Sequence, residues 1–398
     1  MKKLISLTLL VLLFACNGNQ NDEIESLIIH SEAQLGYALQ NINGQCSDEL
    51  VSPRSMEDDS VRLVPAEDWT SGFFPGNLWM MYELTGHKKW SKAALRHTLP
   101  LEPEKWNGSN HDIGFKMYCS FGQAVKYYDN PEYKEILIQS AKTLSSRYNP
   151  IVGCICSWNS TPNTSQWKFP VIIDNMMNLE LLMWAAKETG NDSFREIAVK
   201  HAQTTMQHHF RNDYSCYHVV DYDPKTGEVL NKNTHQGFAD ESDWARGQAW
   251  AVYGFTMMYR ETGLDEFLGQ AKKIADYLLS VNGIKDGAMP YWDFKAPNIP
   301  NEPYDVSAAA VIASALFELY EYSNNKAYLT AAIKLFITMS SPEFLAKVGE
   351  NGGFLLKHST GSKPYESEVD VPLVYADYYF LETLIKYKKY KEQCRLKQ

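Results

Sequence analysis

The sequence predicts an all-α fold, an (α/α)6 barrel of six helical hairpins. Three observations predict it: a recurring turn, a 3.6-residue apolar period, and an alternation between two kinds of helix. The turn reads Thr85-Gly86-His87-Lys88-Lys89-Trp90, Thr189-Gly190-Asn191-Asp192-Ser193-Phe194 and Thr262-Gly263-Leu264-Asp265-Glu266-Phe267, with looser copies at 129–133 and 323–328. At each, a helix stops at Gly or Asn, where a left-handed cap costs little. Another helix starts within a few residues and places an aromatic inward, which is the signature of repeated hairpins.

Apolar spacing marks about twelve helices, at roughly 25–42, 70–86, 88–103, 111–128, 131–147, 170–189, 192–210, 243–262, 264–282, 305–323, 325–342 and 371–390. Odd-numbered members such as 192–210 and 264–282 carry Lys and Glu on one face, as outer helices do. Even-numbered members are apolar on most sides, as an inner ring requires. Each of these opens on a polar or aromatic cluster: Asp68-Trp69-Thr70-Ser71-Gly72-Phe73, His111-Asp112-Ile113-Gly114-Phe115, Ile173-Asp174-Asn175, Asp243-Trp244-Ala245-Arg246, Tyr304-Asp305-Val306-Ser307 and Glu368-Val369-Asp370-Val371-Pro372. Parallel inner helices bring all six clusters to one end of the barrel. That end is expected to be a concave site lined by aromatics and carboxylates.

Ahead of the helices, residues 1–16 read as an export signal: Lys2 and Lys3, then an apolar run from Leu4 to Phe14 too short to span a bilayer. The run Leu13-Phe14-Ala15-Cys16 resembles a bacterial lipobox, which implies acylation of Cys16, a polar tether at 17–24, and residence in the periplasm or at the outer membrane. From 25 to 398 no composition break intervenes, so one catalytic domain is expected. The 10 Trp and 24 Tyr exceed what a core of this size requires, and rings that stack on sugars account for such an excess. A formal net charge of −10 without a Lys/Arg run excludes nucleic acid as a partner. Cys46, Cys119, Cys154, Cys156, Cys216 and Cys394 are irregularly spaced and no Cys/His group has zinc-ligand spacing, so neither a disulfide framework nor a metal is expected.

Converging carboxylates supply general acid–base chemistry, because a shared low-dielectric pocket separates their proton affinities. Asp112 and Asp174 are the candidates. Asp174 sits among Val171-Ile172-Ile173 and Met176-Met177, where an ionised carboxylate is poorly solvated and its pKa should rise. Within 235–250, Arg246 and Trp250 share a helix face, as do Trp244 and Gln248; Arg grips carboxylates and Trp stacks on sugars.

On these stretches, together with Tyr375-Ala376-Asp377-Tyr378-Tyr379-Phe380-Leu381-Glu382, the chain resembles the unsaturated glucuronyl hydrolases of glycoside hydrolase family 88 over about 25–390. The resemblance implies the barrel and a particular reaction. A general acid protonates C4 of the C4=C5 vinyl ether in a terminal unsaturated uronic acid, water adds at C5, and the resulting hemiketal opens and releases the remaining sugar. By resemblance Asp174 is the general acid/base and Asp112 the second essential carboxylate. Arg246, Trp250, Gln236, His218, Trp69 and Trp158 fall at substrate-binding positions, with Trp292 and Asp305 as weaker additions. In family members that accept sulfated sugars, two Ser and a Lys serve a loop comparable to Lys357-His358-Ser359-Thr360-Gly361-Ser362-Lys363. Here Lys363 directly follows Ser362, where the family pattern has one intervening residue.

The reaction needs an acid, a base and water, so no cofactor is expected. The expected partner is an unsaturated uronyl oligosaccharide made by a glycosaminoglycan lyase, with contact to a membrane only through the N-terminal lipid. Three rivals are weighed: the same hydration on pectin-derived rhamnogalacturonyl fragments, a sugar-binding lipoprotein without catalysis, and a purely structural α/α scaffold. The presence of both Asp112 and Asp174 argues against the second, and the clustered Trp, Arg and Asp against the third.

Overall fold

The computed structural model describes residues 19–396. The expected export signal, the lipidated Cys16 and the first two residues of the tether lie outside the described residues. The chain begins with α1 (Asn19–Asn41), which starts six residues ahead of the expected 25 and takes in most of the segment expected as tether. There follow α2 (Phe73–Thr85), α3 (Lys88–Thr98), α4 (Ile113–Met117), α5 (Phe121–Ala124), α6 (Pro131–Ser145), α7 (Asn175–Thr189) and α8 (Asp192–His208). The remaining helices are α9 (Ala245–Thr262), α10 (Asp265–Ser280), α11 (Val306–Ser323), α12 (Lys326–Met339) and α13 (Val374–Leu396).

The hairpins α2–α3, α7–α8, α9–α10 and α11–α12 turn where the repeated motif predicts. Gly86, Gly190 and Gly263 cap them in the left-handed region with φ of 67–68°, and Asn324 does the same at 52°. An inner ring closes because α13 packs on α2 and α11, α9 on α11 and α7, α7 on α4, and α2 on α5. This is an α/α barrel. The inner helices are buried over long runs, from Ala245 to Met258 in α9 and Val306 to Leu319 in α11. Burial of that kind is why they read as apolar on most sides.

The expected helix 111–128 is instead two short ones, α4 and α5. Gly114 and Gly122 weaken the helix, and the Ser120 hydroxyl donates back to the Lys116 carbonyl at 2.5 Å, which bends the backbone. The glycine serves packing: a Cβ on Gly114 would lie 2.7 Å from the Cα of Asn178, so only glycine lets α4 approach α7 this closely.

The all-α reading also missed four small antiparallel sheets in the segments leading into the inner helices: β1 (Ser52–Glu57) with β2 (Ser60–Val64), β3 (Tyr148–Asn149) with β4 (Cys154–Ile155), β5 (Pro170–Ile172), β6 (Val219–Tyr222) and β7 (Val229–Asn233) together, and β8 (Ser359–Ser362) with β9 (Ser367–Val371). Those connections are long, and pairing satisfies backbone groups that burial would otherwise orphan. No helix among the described residues is long and apolar enough to cross a membrane.

Candidate active site

At the end of the barrel where the inner helices begin, a cleft of about 640 Å³ opens. Asp112 immediately precedes α4 and Asp174 immediately precedes α7, and both line it. Burial pushes the Asp174 carboxyl up to about 7, against the opposing influence of the Arg246 charge and the Trp250 indole N–H. Burial raises Asp112 to about 7 as well, with the like charge of Asp174 adding to the effect and Lys116 opposing it. Two carboxyls raised toward neutrality in one poorly solvated cleft can divide the work, one holding a proton while the other is ionised.

Two histidines attend the pair. His111 Nε2 lies 2.8 Å from Asp112 Oδ1. His218 Nδ1 accepts the backbone N–H groups of His235 and Gln236 at 3.1 and 3.2 Å, so its proton resides on Nε2, which faces Asp174 Oδ2 at 3.7 Å. Burial keeps both imidazoles neutral, well below the usual histidine range. The His218 ring is fixed against Trp244, with centroids 4.5 Å apart.

Trp69, Trp158, Gln236 and Arg246 line the cleft together with the two carboxylates. Trp69 rests on Phe115 and Tyr375; Trp158 rests on Trp167 and His235. The other expected binding residues sit elsewhere. Trp250 is 1% exposed and does not line the cleft. It packs on Phe115 and Tyr379, one helical turn beyond Arg246, with its indole near Asp174. Ser359 is fully buried in β8. Lys363 points outward to Glu366 at 3.4 Å. Of the two serines and the lysine expected to hold sulfate, only Ser362 lines the cleft, beside Gly361 of the same loop. Trp292 is buried and bonds Glu302, away from the cleft.

Arg246 is committed as well as present. Its guanidinium meets Asp305 at 2.5 Å and donates to the carbonyls of Thr360 and Gly361 at 2.6 and 2.5 Å, while Gln236 donates to Gly361 at 3.1 Å. The pair therefore holds β8 against the barrel, and Asp305 is the cap of α11 that anchors Arg246. Residues that sequence reasoning passed over complete the walls. Tyr365, between β8 and β9, meets His235 Nδ1 at 3.0 Å. Arg54 forks onto Glu368 at 2.6 and 2.8 Å and reaches Asp68 at 2.7 Å. Arg54 and Glu368 lie 314 residues apart, so no local signal pairs them. Among the described residues no group of three or more His, Cys, Asp or Glu is placed to hold a metal ion.

An α/α barrel that gathers two raised carboxyls and aromatic walls at one end is the architecture of a glycoside hydrolase. The model of Glycosyl Hydrolase Family 88 matches residues 47–396, and the chain belongs to that family. It is 51% identical to an unsaturated glucuronyl hydrolase of Formosa agariphila over 335 residues, covering 83% of each chain. Among solved structures, an unsaturated glucuronyl hydrolase specific for heparin superposes with a TM-score of 0.89 at 44% identity, covering 94% of this chain and 98% of that one. A variant of the Streptococcus agalactiae unsaturated glucuronyl hydrolase, complexed with dGlcA-GalNAc6S, superposes with a TM-score of 0.76 at 26% identity, covering 92% and 91%.

Proposed function

We propose that the protein removes the Δ4,5-unsaturated uronic acid from the non-reducing end of glycosaminoglycan fragments left by lyases, by hydrating the C4=C5 vinyl ether. One observation carries this reading: Asp112 and Asp174, both raised to about 7, face one cleft between sugar-stacking tryptophans. Protonated Asp174 delivers its proton to C4, and positive charge develops at C5, shared with the ring oxygen. Water adds at C5 and its proton returns to Asp174, while ionised Asp112 balances the charge. The C5 hemiketal opens to a ketone, C1 becomes an aldehyde, and the leaving sugar departs with its own glycosidic oxygen. Because both carboxyls serve one double bond, their separation says nothing about retention or inversion.

The orientation of the β8–β9 segment supports a second sugar without sulfate, since Lys363 is paired outside the cleft and Ser359 is sealed. Export and acylation at Cys16 rest on the lipobox-like run and would hold the enzyme at a membrane through more than one acyl chain.

The conjugated ene-carboxylate absorbs in the ultraviolet and its hydrated product does not. Loss of absorbance is expected with unsaturated chondroitin or heparin disaccharides, faster when unsulfated, and not with Asp174→Asn. Turnover confined to rhamnogalacturonyl fragments would move the substrate to pectin. Binding without turnover of any fragment would sink the enzymatic reading.

A further inference from the structure

Tyr375 stands in the first turn of α13 and is fully buried, yet it lines the cleft. Its ring packs on Trp69 at 4.9 Å and Phe73 at 5.8 Å, and the Arg246 guanidinium lies 5.4 Å from its centroid. Its hydroxyl has no hydrogen-bond partner among the described residues. Packing alone would select phenylalanine here, because a buried hydroxyl without a partner costs stability. Asp174 Oδ2 and Ser362 Oγ, on residues that line the same cleft, share this condition, as does His218 Nε2 behind Asp174.

The surroundings indicate what the hydroxyl meets. Arg246, Arg54, Glu368 and Asp305 are its charged neighbours, and both arginines already hold an acid. A phenol donates well to an anion, and the nearby guanidiniums favour one. Arg246 is also the cation that acts on Asp174.

Resting on the functional reading above, we propose that Tyr375 positions the substrate by donating its phenolic O–H to the carboxylate of the unsaturated uronate. The test is Tyr375→Phe, which keeps the ring against Trp69 and Phe73. Its kcat/KM on an unsaturated disaccharide is expected to fall about 10- to 100-fold, as for loss of a hydrogen bond to a charged group. Its thermal midpoint should equal or exceed that of wild type. The preference of wild type for the free uronate over its methyl ester should shrink in the variant, a change that a merely structural role does not produce.

Binding to Asp174→Asn, with and without Tyr375→Phe, gives the same comparison without turnover and should weaken with the second change. Wild-type turnover with a variant within twofold of it, or an unchanged acid-to-ester ratio, overturns the assignment of Tyr375 alone. A wild type that turns over no unsaturated uronyl fragment overturns this assignment and the functional reading together.

Discussion

In the proposed reaction Asp174 serves as the acid because its surroundings make it a poor anion, and the same surroundings make it a liability to the fold. Its pKa and that of Asp112 rise from 3.8 to about 7, so the native state holds more protons than the unfolded chain between those values. That contribution to stability is complete below about 4 and is lost as pH rises through about 7. Asparagine mimics the protonated form. Asp174→Asn should therefore melt above wild type at pH 8 and level with it at pH 4, while activity falls by about 10²- to 10⁴-fold. An equal melting gap at both pH values would contradict the raised pKa. Trp250 offers a subtler check, since its indole N–H favours the ionised Asp174. In Trp250→Phe the acid should stay protonated to higher pH, which moves the alkaline limb of the kcat/KM profile upward; a limb that stays put or moves down would remove the positioning role.

Between elements, the spacing of the carboxyl pair depends on how closely α4 approaches α7. Gly114→Ala would drive a Cβ to 2.7 Å from Asn178, whose Oδ1 accepts the Phe115 backbone N–H. Overpacking of this kind costs about 1–3 kcal/mol, so a lower urea midpoint with reduced kcat is expected, and unchanged values would show that α4 yields freely. The helix starts were legible because Asp, Trp and Arg at the head of an apolar run have few structural reasons to be there. The break at Ser120 was not, because one serine bonding back to Lys116 leaves no mark on periodicity. Arg246 was legible as a site residue, but its work was not: Thr360 and Gly361, the carbonyls it holds, lie more than a hundred residues away. The outward turn of Lys363 and the burial of Ser359 likewise follow from the β8–β9 register, which the loop sequence alone does not reveal.

For the whole molecule, the repeated Thr-Gly turn made the barrel legible, since each copy fixes a left-handed cap and so a hairpin. The buried histidines were not legible as a group. His201 and His209 are held at about 3 by burial, while the unfolded chain takes up protons near 6.5. Each therefore lowers stability as pH falls from about 6.5 to about 3. A His209→Gln variant should gain on wild type in urea unfolding between pH 7.5 and 4.5, and a constant gap would contradict this. The net charge of −10 does not bar an anionic sugar, because the inner helices turn their N-terminal ends, the positive ends of their dipoles, toward the cleft.

In the proposed reaction water adds to the double bond before any glycosidic bond breaks. The most direct measurement follows an unsaturated chondroitin disaccharide in D2O, recording ultraviolet absorbance, released sugar and the position of deuterium together. Absorbance should be lost one-for-one with sugar release, deuterium should appear at C4, and Asp174→Asn should do neither. Release of the sugar while the C4=C5 double bond and its absorbance persist would contradict it.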